Sequence, residues 1–277
     1  MQIIALPSGD RIPVLGQGTW HFGENRALRK PQIAALRRGL DIGMTLIDTA
    51  EMYADGDTEL LVGAAIAGRR DEAFLVSKVL PHHATREGTV RACHGSLRRL
   101  NTDRLDLYLL HWRGPVPLTE TIDAFLRLEA AGQIRSWGVS NFDVGDMEEL
   151  MSLSGGKGVQ TDQVLYNLSR RAPEWELLPL CREAGIPVMA YSPIEQGRML
   201  ADPVLRDVAA RHNATPAQVA LAWVLRQDNI CAIPRAGSPQ HVDENAAALG
   251  VVLDRDDFVA LDAQFPPPLH ARPLEML

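Results

Sequence analysis

Four side chains able to move or steady a proton fall at the ends of short apolar runs. Asp48 closes the run that begins at Thr45 in T-L-I-D-T-A-E-M-Y, and Tyr53 follows on the loop. Lys78 lies near the end of the run Ala73 to Val79, and His111 directly follows Leu105 to Leu110. A carboxylate, a phenol, an amine and an imidazole brought together equip a proton-transfer site. Taken singly, each also fits a plainer role: a buried Asp–Lys ion pair, a packing tyrosine, a core histidine. What decides is whether the chain's elements bring the four to one place.

The elements alternate. Two short apolar runs, Ile3 to Leu6 and Ile12 to Leu15, flank S-G-D-R and predict an N-terminal β-hairpin. Strand-like runs then come at Leu15–Trp20, Thr45–Asp48, Ala73–Val79, Leu105–His111, Ile134–Ser140, Val159–Leu165, Ile186–Tyr191 and Ile230–Pro234. Helical patterns fall between them, at Gln32–Gly43, Thr58–Ala67, Thr85–Leu100, Leu118–Ala131, Val144–Leu153, Glu174–Ala184, Pro203–His212 and Pro216–Gln227. Two more, Pro239–Leu249 and Asp256–Gln264, are extra helices near the C-terminus. Strand–helix alternation predicts a parallel sheet with helices outside. Eight such units predict closure into an α/β (β/α)8 barrel, a TIM barrel, with residues 1–277 as a single domain. In that fold the C-terminal strand ends carry the chemistry, and all four side chains fall there. The proline-rich tail Pro266 to Leu277 predicts an extended segment over one end.

Bulk properties exclude several classes. The 277 residues, 46% of them hydrophobic, suffice for one large core. A net charge of −7 argues against nucleic acid or an anionic membrane as partner. The three cysteines, Cys93, Cys181 and Cys231, lack zinc-ligand spacing and fit a reducing compartment. No signal-peptide pattern opens the chain, and no apolar run approaches the ~18 residues of a membrane span. A cytoplasmic protein, monomeric or weakly oligomeric, is the expectation. His82–His83 resembles a metal site only superficially, with no carboxylate or third histidine placed to complete it, and no metal is expected.

The glycines of G-Q-G-T-W-H-F-G, Gly16 to Gly23, do not make a dinucleotide-fold fingerprint, which needs glycine where His21 stands. They suit a tight loop at a barrel mouth, where the backbone approaches a ligand closely.

Eight segments, in order, resemble the aldo-keto reductases. They are G-Q-G-T-W (Gly16–Trp20), I-D-T-A-E-M-Y (Ile47–Tyr53), V-S-K-V (Val76–Val79), D-L-Y-L-L-H-W (Asp106–Trp112), G-V-S-N-F (Gly138–Phe142), Q-V-L-Y-N (Gln163–Asn167), A-Y-S-P-I (Ala190–Ile194) and I-P-R-A-G-S (Ile233–Ser238). Within that family, the segments resemble those of bacterial members of the methylglyoxal-reductase type. The resemblance implies an NADPH-dependent reduction of aldehydes and ketones, with NADH a lesser alternative. It implies Tyr53 as general acid, Lys78 lowering its pKa, Asp48 holding Lys78, and His111 as a second donor to the carbonyl oxygen. Relatives that reduce carbon–carbon double bonds carry glutamate at the His111 position, so histidine points to C=O.

The resemblance also assigns a cofactor site. Gly18, Thr19 and Trp20 line it from the first loop. Ser140, Asn141 and Gln163 hold the nicotinamide carboxamide, and Tyr191 stacks on the ring. An Asn–Gln pair inside an apolar barrel is costly without partners, which argues for a ligand there. Ser192 and Ile194 grip the pyrophosphate. Ile233, Pro234 and Arg235 lead to the 2′-phosphate, which a guanidinium suits. Ser238, His241, Glu244 and Asn245 meet the adenosine end. His241 stands where many members carry arginine, which weakens the expected NADPH preference. Trp20, Met52 and Trp112 form the expected substrate wall, with Glu51 and His21 adding polarity. Short loops and a tail without aromatics suggest an open pocket for small aldehydes. The competing readings are a catalytically weak nicotinamide-binding regulatory subunit and a metal-dependent hydrolase using Asp48 and His111.

Overall fold

A computed structural model describes residues 1–277. The hairpin forms from β1 (Ile3–Ala5) and β2 (Arg11–Pro13), paired antiparallel. Eight further strands follow: β3 (Gln17–Gly18), β4 (Leu46–Asp48), β5 (Phe74–Val79), β6 (Leu105–Leu110), β7 (Ile134–Ser140), β8 (Asp162–Leu165), β9 (Val188–Tyr191) and β10 (Ile230–Ala232). They pair parallel in chain order. A parallel bridge from Leu15 to Ala232 joins the two ends of the sheet, with Gly16 N donating to Ala232 O at 2.8 Å. The sheet closes into the expected (β/α)8 barrel.

The helices are α1 (Arg29–Asp41), α2 (Asp57–Ile66), α3 (Arg86–Leu100), α4 (Leu118–Ala130), α5 (Val144–Ser152), α6 (Leu177–Glu183), α7 (Pro203–Arg211), α8 (Pro216–Val224), α9 (Pro239–Ala247) and α10 (Arg255–Gln264). None is long and apolar enough to cross a membrane. Prolines open α7, α8 and α9, where the missing N–H costs nothing. Several elements are shorter than the sequence pattern suggests, and in α6 and β9 a proline accounts for it. α6 begins at Leu177 rather than Glu174, because Pro179 has no N–H to bond back and must sit in the first turn. β9 begins after Pro187 for the same lack of a donor.

Strand alternation sorts the side chains into two cores. One alternate set of strand residues, which includes Leu75, Tyr108 and Val164, packs outward against the helices. Leu46, Phe74, Val76, Leu107, Leu109, Met189 and Cys231 point inward and fill the barrel, where the hairpin's Leu6 and Ile12 join them. Continuing the inward rows by one step gives the site. Asp48 follows Leu46, Lys78 follows Val76, His111 follows Leu109, and Tyr191 follows Met189. The apolar plug below therefore sets the floor on which these polar side chains stand.

The tail has no regular secondary structure, and it reaches further than a cover over one end. Ala271 to Leu274 lie in a groove with Val144, Pro173 and Trp175, and Met276 and Leu277 enter the main cavity.

Candidate active site

The C-terminal strand ends open into a cavity of about 630 Å³. Ligand sites commonly have this size. Asp48, Tyr53 and His111 line it, and Lys78 lies fully buried beneath. Lys78 Nζ donates to Asp48 at 2.8 Å, to the Thr49 carbonyl at 3.0 Å and to the Tyr53 hydroxyl oxygen at 3.2 Å. Tyr53 lies edge-on to the His111 ring, with centroids 5.8 Å apart. The four residues that the sequence singled out come together.

Their charges follow from burial and proximity. Burial drives Lys78 towards neutrality, but Asp48 and Tyr53 outweigh it and hold the ammonium above its ordinary value. Burial and the Lys78 charge push His111 well below the ordinary histidine value, so it is neutral near pH 7. Tyr53 departs from expectation. Lys78 does lower it, but burial and the Asp48 charge leave the phenol above its usual range. The lysine was expected to dominate. The carboxylate that holds it also offsets part of its field.

Ser140, Asn141, Gln163 and Tyr191 line the same cavity. Gln163 Nε2 donates to Asp48 Oδ1 at 2.8 Å, and Asn141 Nδ2 donates to the His111 carbonyl at 3.1 Å. Tyr191 donates to Asn141 Oδ1 at 2.9 Å. These groups have protein partners, so the cost of an unpaired Asn–Gln pair does not by itself require a ligand. Asn141 and Ser192 adopt left-handed φ of 58° and 46°, a strain that persists where the surroundings demand it.

From Gly18, Thr19 and Trp20 the cavity runs past Ser192 and Ile194 to Ile233, Pro234 and Arg235. Gly18 has no room for a side chain, because a Cβ would stand 2.6 Å from the Ile233 carbonyl oxygen. Ser238, His241, Glu244 and Asn245 lie outside the cavity lining, at the start of α9 and along it. Ser238 caps that helix by accepting from His241 N at 3.3 Å. Glu244 accepts from Gln240 at 2.8 Å.

On the substrate side, Trp20, Met52, Trp112 and His21 line the cavity, whereas Glu51 does not. Glu51 turns to accept from Leu80 N at 2.8 Å and lies 3.0 Å from His83 Nδ1. The fold thus places a carboxylate beside the His82–His83 pair that the sequence reading lacked. Sequence reasoning missed Pro193, Gln196, Gly197, Met276 and Leu277 as lining residues. It also gave no role to Asn167, whose amide holds the Ser192 carbonyl at 2.9 Å. Pro193 and Asn167 lie inside quoted motifs, and Gln196 and Gly197 follow one closely. Nothing in the tail's composition signals its path.

The Aldo/keto reductase family model matches residues 14–264. The chain is 50% identical to methylglyoxal reductase YeaE of Escherichia coli (strain K12), over 98% of this chain and 97% of that protein. It is 34% identical to a glyoxal reductase of Bacillus subtilis (strain 168), over 94% of this chain and 91% of that one. A crystal structure of an aldo/keto reductase from Klebsiella pneumoniae, in complex with NADP and acetate, superposes with a TM-score of 0.96. It is 48% identical and covers 99% of both chains.

Proposed function

This chain belongs to the aldo/keto reductase family, and from that premise we propose that it reduces small aldehydes such as methylglyoxal to alcohols with NADPH, Tyr53 acting as general acid. The observation that carries the reading is the Lys78–Tyr53 contact of 3.2 Å at the wall of the cavity. The names of the relatives support methylglyoxal and glyoxal as substrate types. Residues 1–277 act in this reading as one catalytic domain.

The donor set suits a dinucleotide. Ser140, Asn141 and Gln163 would hold the carboxamide, and Tyr191 would cover the nicotinamide ring. Gly18, Thr19, Trp20, Ser192, Ile194, Ile233 and Pro234 would line the pyrophosphate path, and Arg235 would meet the 2′-phosphate. Ser238, His241, Glu244 and Asn245 would face the adenosine end. When bound, the cofactor supplies a hydride. As the substrate oxygen gains charge, Tyr53 gives it the phenolic proton. Lys78 steadies the phenolate left behind, and Asp48 keeps Lys78 protonated and in place. His111, neutral, brings one ring N–H to the same oxygen. Trp20, Met52 and Trp112, which line the cavity, would form the wall beside the substrate.

The test follows NADPH absorbance with methylglyoxal and a panel of nitrobenzaldehydes. Turnover of these aldehydes is the expected result. A folded, NADPH-loaded protein that turns over none of them overturns the reading.

A further inference from the structure

The mechanism leaves unused a cluster of charges that joins two walls of the cavity. Glu195 sits at its centre, buried at 3% exposure in the loop after β9. Its carboxylate accepts from Arg198 Nη2 at 2.6 Å, from Arg170 Nη2 at 3.1 Å and from Asn167 Nδ2 at 2.8 Å. Burial pushes the Glu195 carboxyl up, but these three donors outweigh it and hold the group below the ordinary carboxylate range.

The loop that Glu195 anchors is strained. Ser192, Glu195, Gln196 and Gly197 have φ of 46°, 49°, 55° and 86°. Three of the four carry side chains that disfavour this region. Such a loop keeps its shape only if its surroundings over-determine it, and the buried carboxylate is the fixed point. Ser192, Ile194 and Gly197 from this loop line the cavity.

Arg170 has a second partner. Its Nη1 lies 2.5 Å from Glu275 Oε1 in the tail. The next two residues, Met276 and Leu277, line the same cavity. Arg170 itself is fixed by its turn, where Asn167 Oδ1 accepts from Ser169 N at 2.9 Å and from Arg170 N at 3.1 Å. One guanidinium therefore touches both the strained loop and the tail.

We propose that Arg170 is a positioning residue that sets the place of both walls, the loop Ser192–Gly197 through Glu195 and the tail Met276–Leu277 through Glu275. This rests on the reading of the cavity as a reductase site, with the loop over the cofactor and the tail beside the substrate. The two arms differ in strength. Glu195 is buried, so its arm is firm. Arg170 and Glu275 are 34% and 44% exposed at the side chain, so the tail arm is weak and screened by salt. The tail wall is then the adjustable one.

Two substitutions separate the arms. Glu275→Gln cuts only the tail. The KM for 4-nitrobenzaldehyde is expected to change by about two- to fivefold, the scale of an exposed ion pair, while the Kd for NADPH stays the same. In about 0.5 M salt the unsubstituted enzyme should move towards the variant, because screening removes the same contact. Arg170→Gln should give the same KM change and, in addition, faster NADPH release by stopped-flow fluorescence. The double variant should match Arg170→Gln alone. An unchanged KM in Glu275→Gln, or additive effects in the double variant, overturns the proposal. Hydrogen exchange over residues 266–277 gives a readout that needs no turnover. Exchange should speed up in both variants, and unchanged exchange also overturns the proposal. If the unsubstituted protein reduces no aldehyde, the functional reading fails while the exchange measurement still decides the tether.

Discussion

Lys78 Nζ donates to the Tyr53 hydroxyl oxygen at 3.2 Å, so the phenol's own hydrogen is left for another acceptor. The oxygen accepts from the buried ammonium, and Tyr53 itself lines the cavity. That arrangement suits a group that must give a proton away and then carry a negative charge.

Replacing Tyr53 with Phe keeps the ring and removes only that hydroxyl. General acid catalysis contributes about 10²- to 10⁴-fold. We expect kcat with methylglyoxal to fall by about that factor, with NADPH affinity preserved. Steady-state kinetics and fluorescence titration check the two halves separately. Retained turnover would move the acid role to another group.

The Lys78–Asp48 pair has a structural side. Lys78 is wholly buried and Asp48 is 3% exposed. Lys78→Met leaves a buried carboxylate with its counter-ion gone, and losing one partner of such a pair costs about 3–5 kcal/mol. We expect a loss of that order in urea unfolding, together with loss of activity. Adding Asp48→Asn removes the stranded charge, so the double variant should recover part of the stability and none of the activity. A double variant no more stable than Lys78→Met would contradict this account.

Much of this site was legible because strand alternation has period two. Once Val76 and Leu109 are inward, Lys78 and His111 must be too. The barrel was legible for a similar reason, since eight alternating units leave few other closures. Three features were not legible. The direction of the Tyr53 shift depends on how burial weighs against two opposite charges, and no motif encodes that balance. Glu51 sits beside Met52 in sequence, yet it turns away to Leu80 N and His83. The tail enters the cavity through a contact between Arg170 and Glu275, 105 positions apart. Long-range pairs of exposed charges leave no periodic signal.

Asp162 offers a pH-dependent test away from the reaction. Its side chain packs outside the barrel, where Oδ2 has no partner and Oδ1 accepts only from Phe142 N at 3.4 Å. Burial, with the charges of Asp146 and Asp143, pushes the carboxyl well above its ordinary 3.8, although the Phe142 N–H opposes this. Above the unfolded value the unfolded chain releases this proton while the folded chain retains it. Stability is therefore lost as pH rises from about 4 to the folded value. Asp162→Asn cannot titrate. It should gain on the unsubstituted protein between pH 4.5 and 7.5, measured by denaturant midpoints at each pH. A constant difference across that range would sink the idea.

Arg235 tests the cofactor end. It lines the far part of the cavity, exposed to solvent. In the proposed site its guanidinium meets the 2′-phosphate, a group that NADPH has and NADH lacks. Hydrogen bonds to charged groups contribute about 1.5–3 kcal/mol, which is roughly 10- to 150-fold in affinity. Arg235→Gln keeps a polar side chain and removes the charge. The KM for NADPH should rise by about 10-fold or more, while the KM for NADH should change little. The ratio of the two is the discriminating quantity, because general damage to the cavity would raise both together.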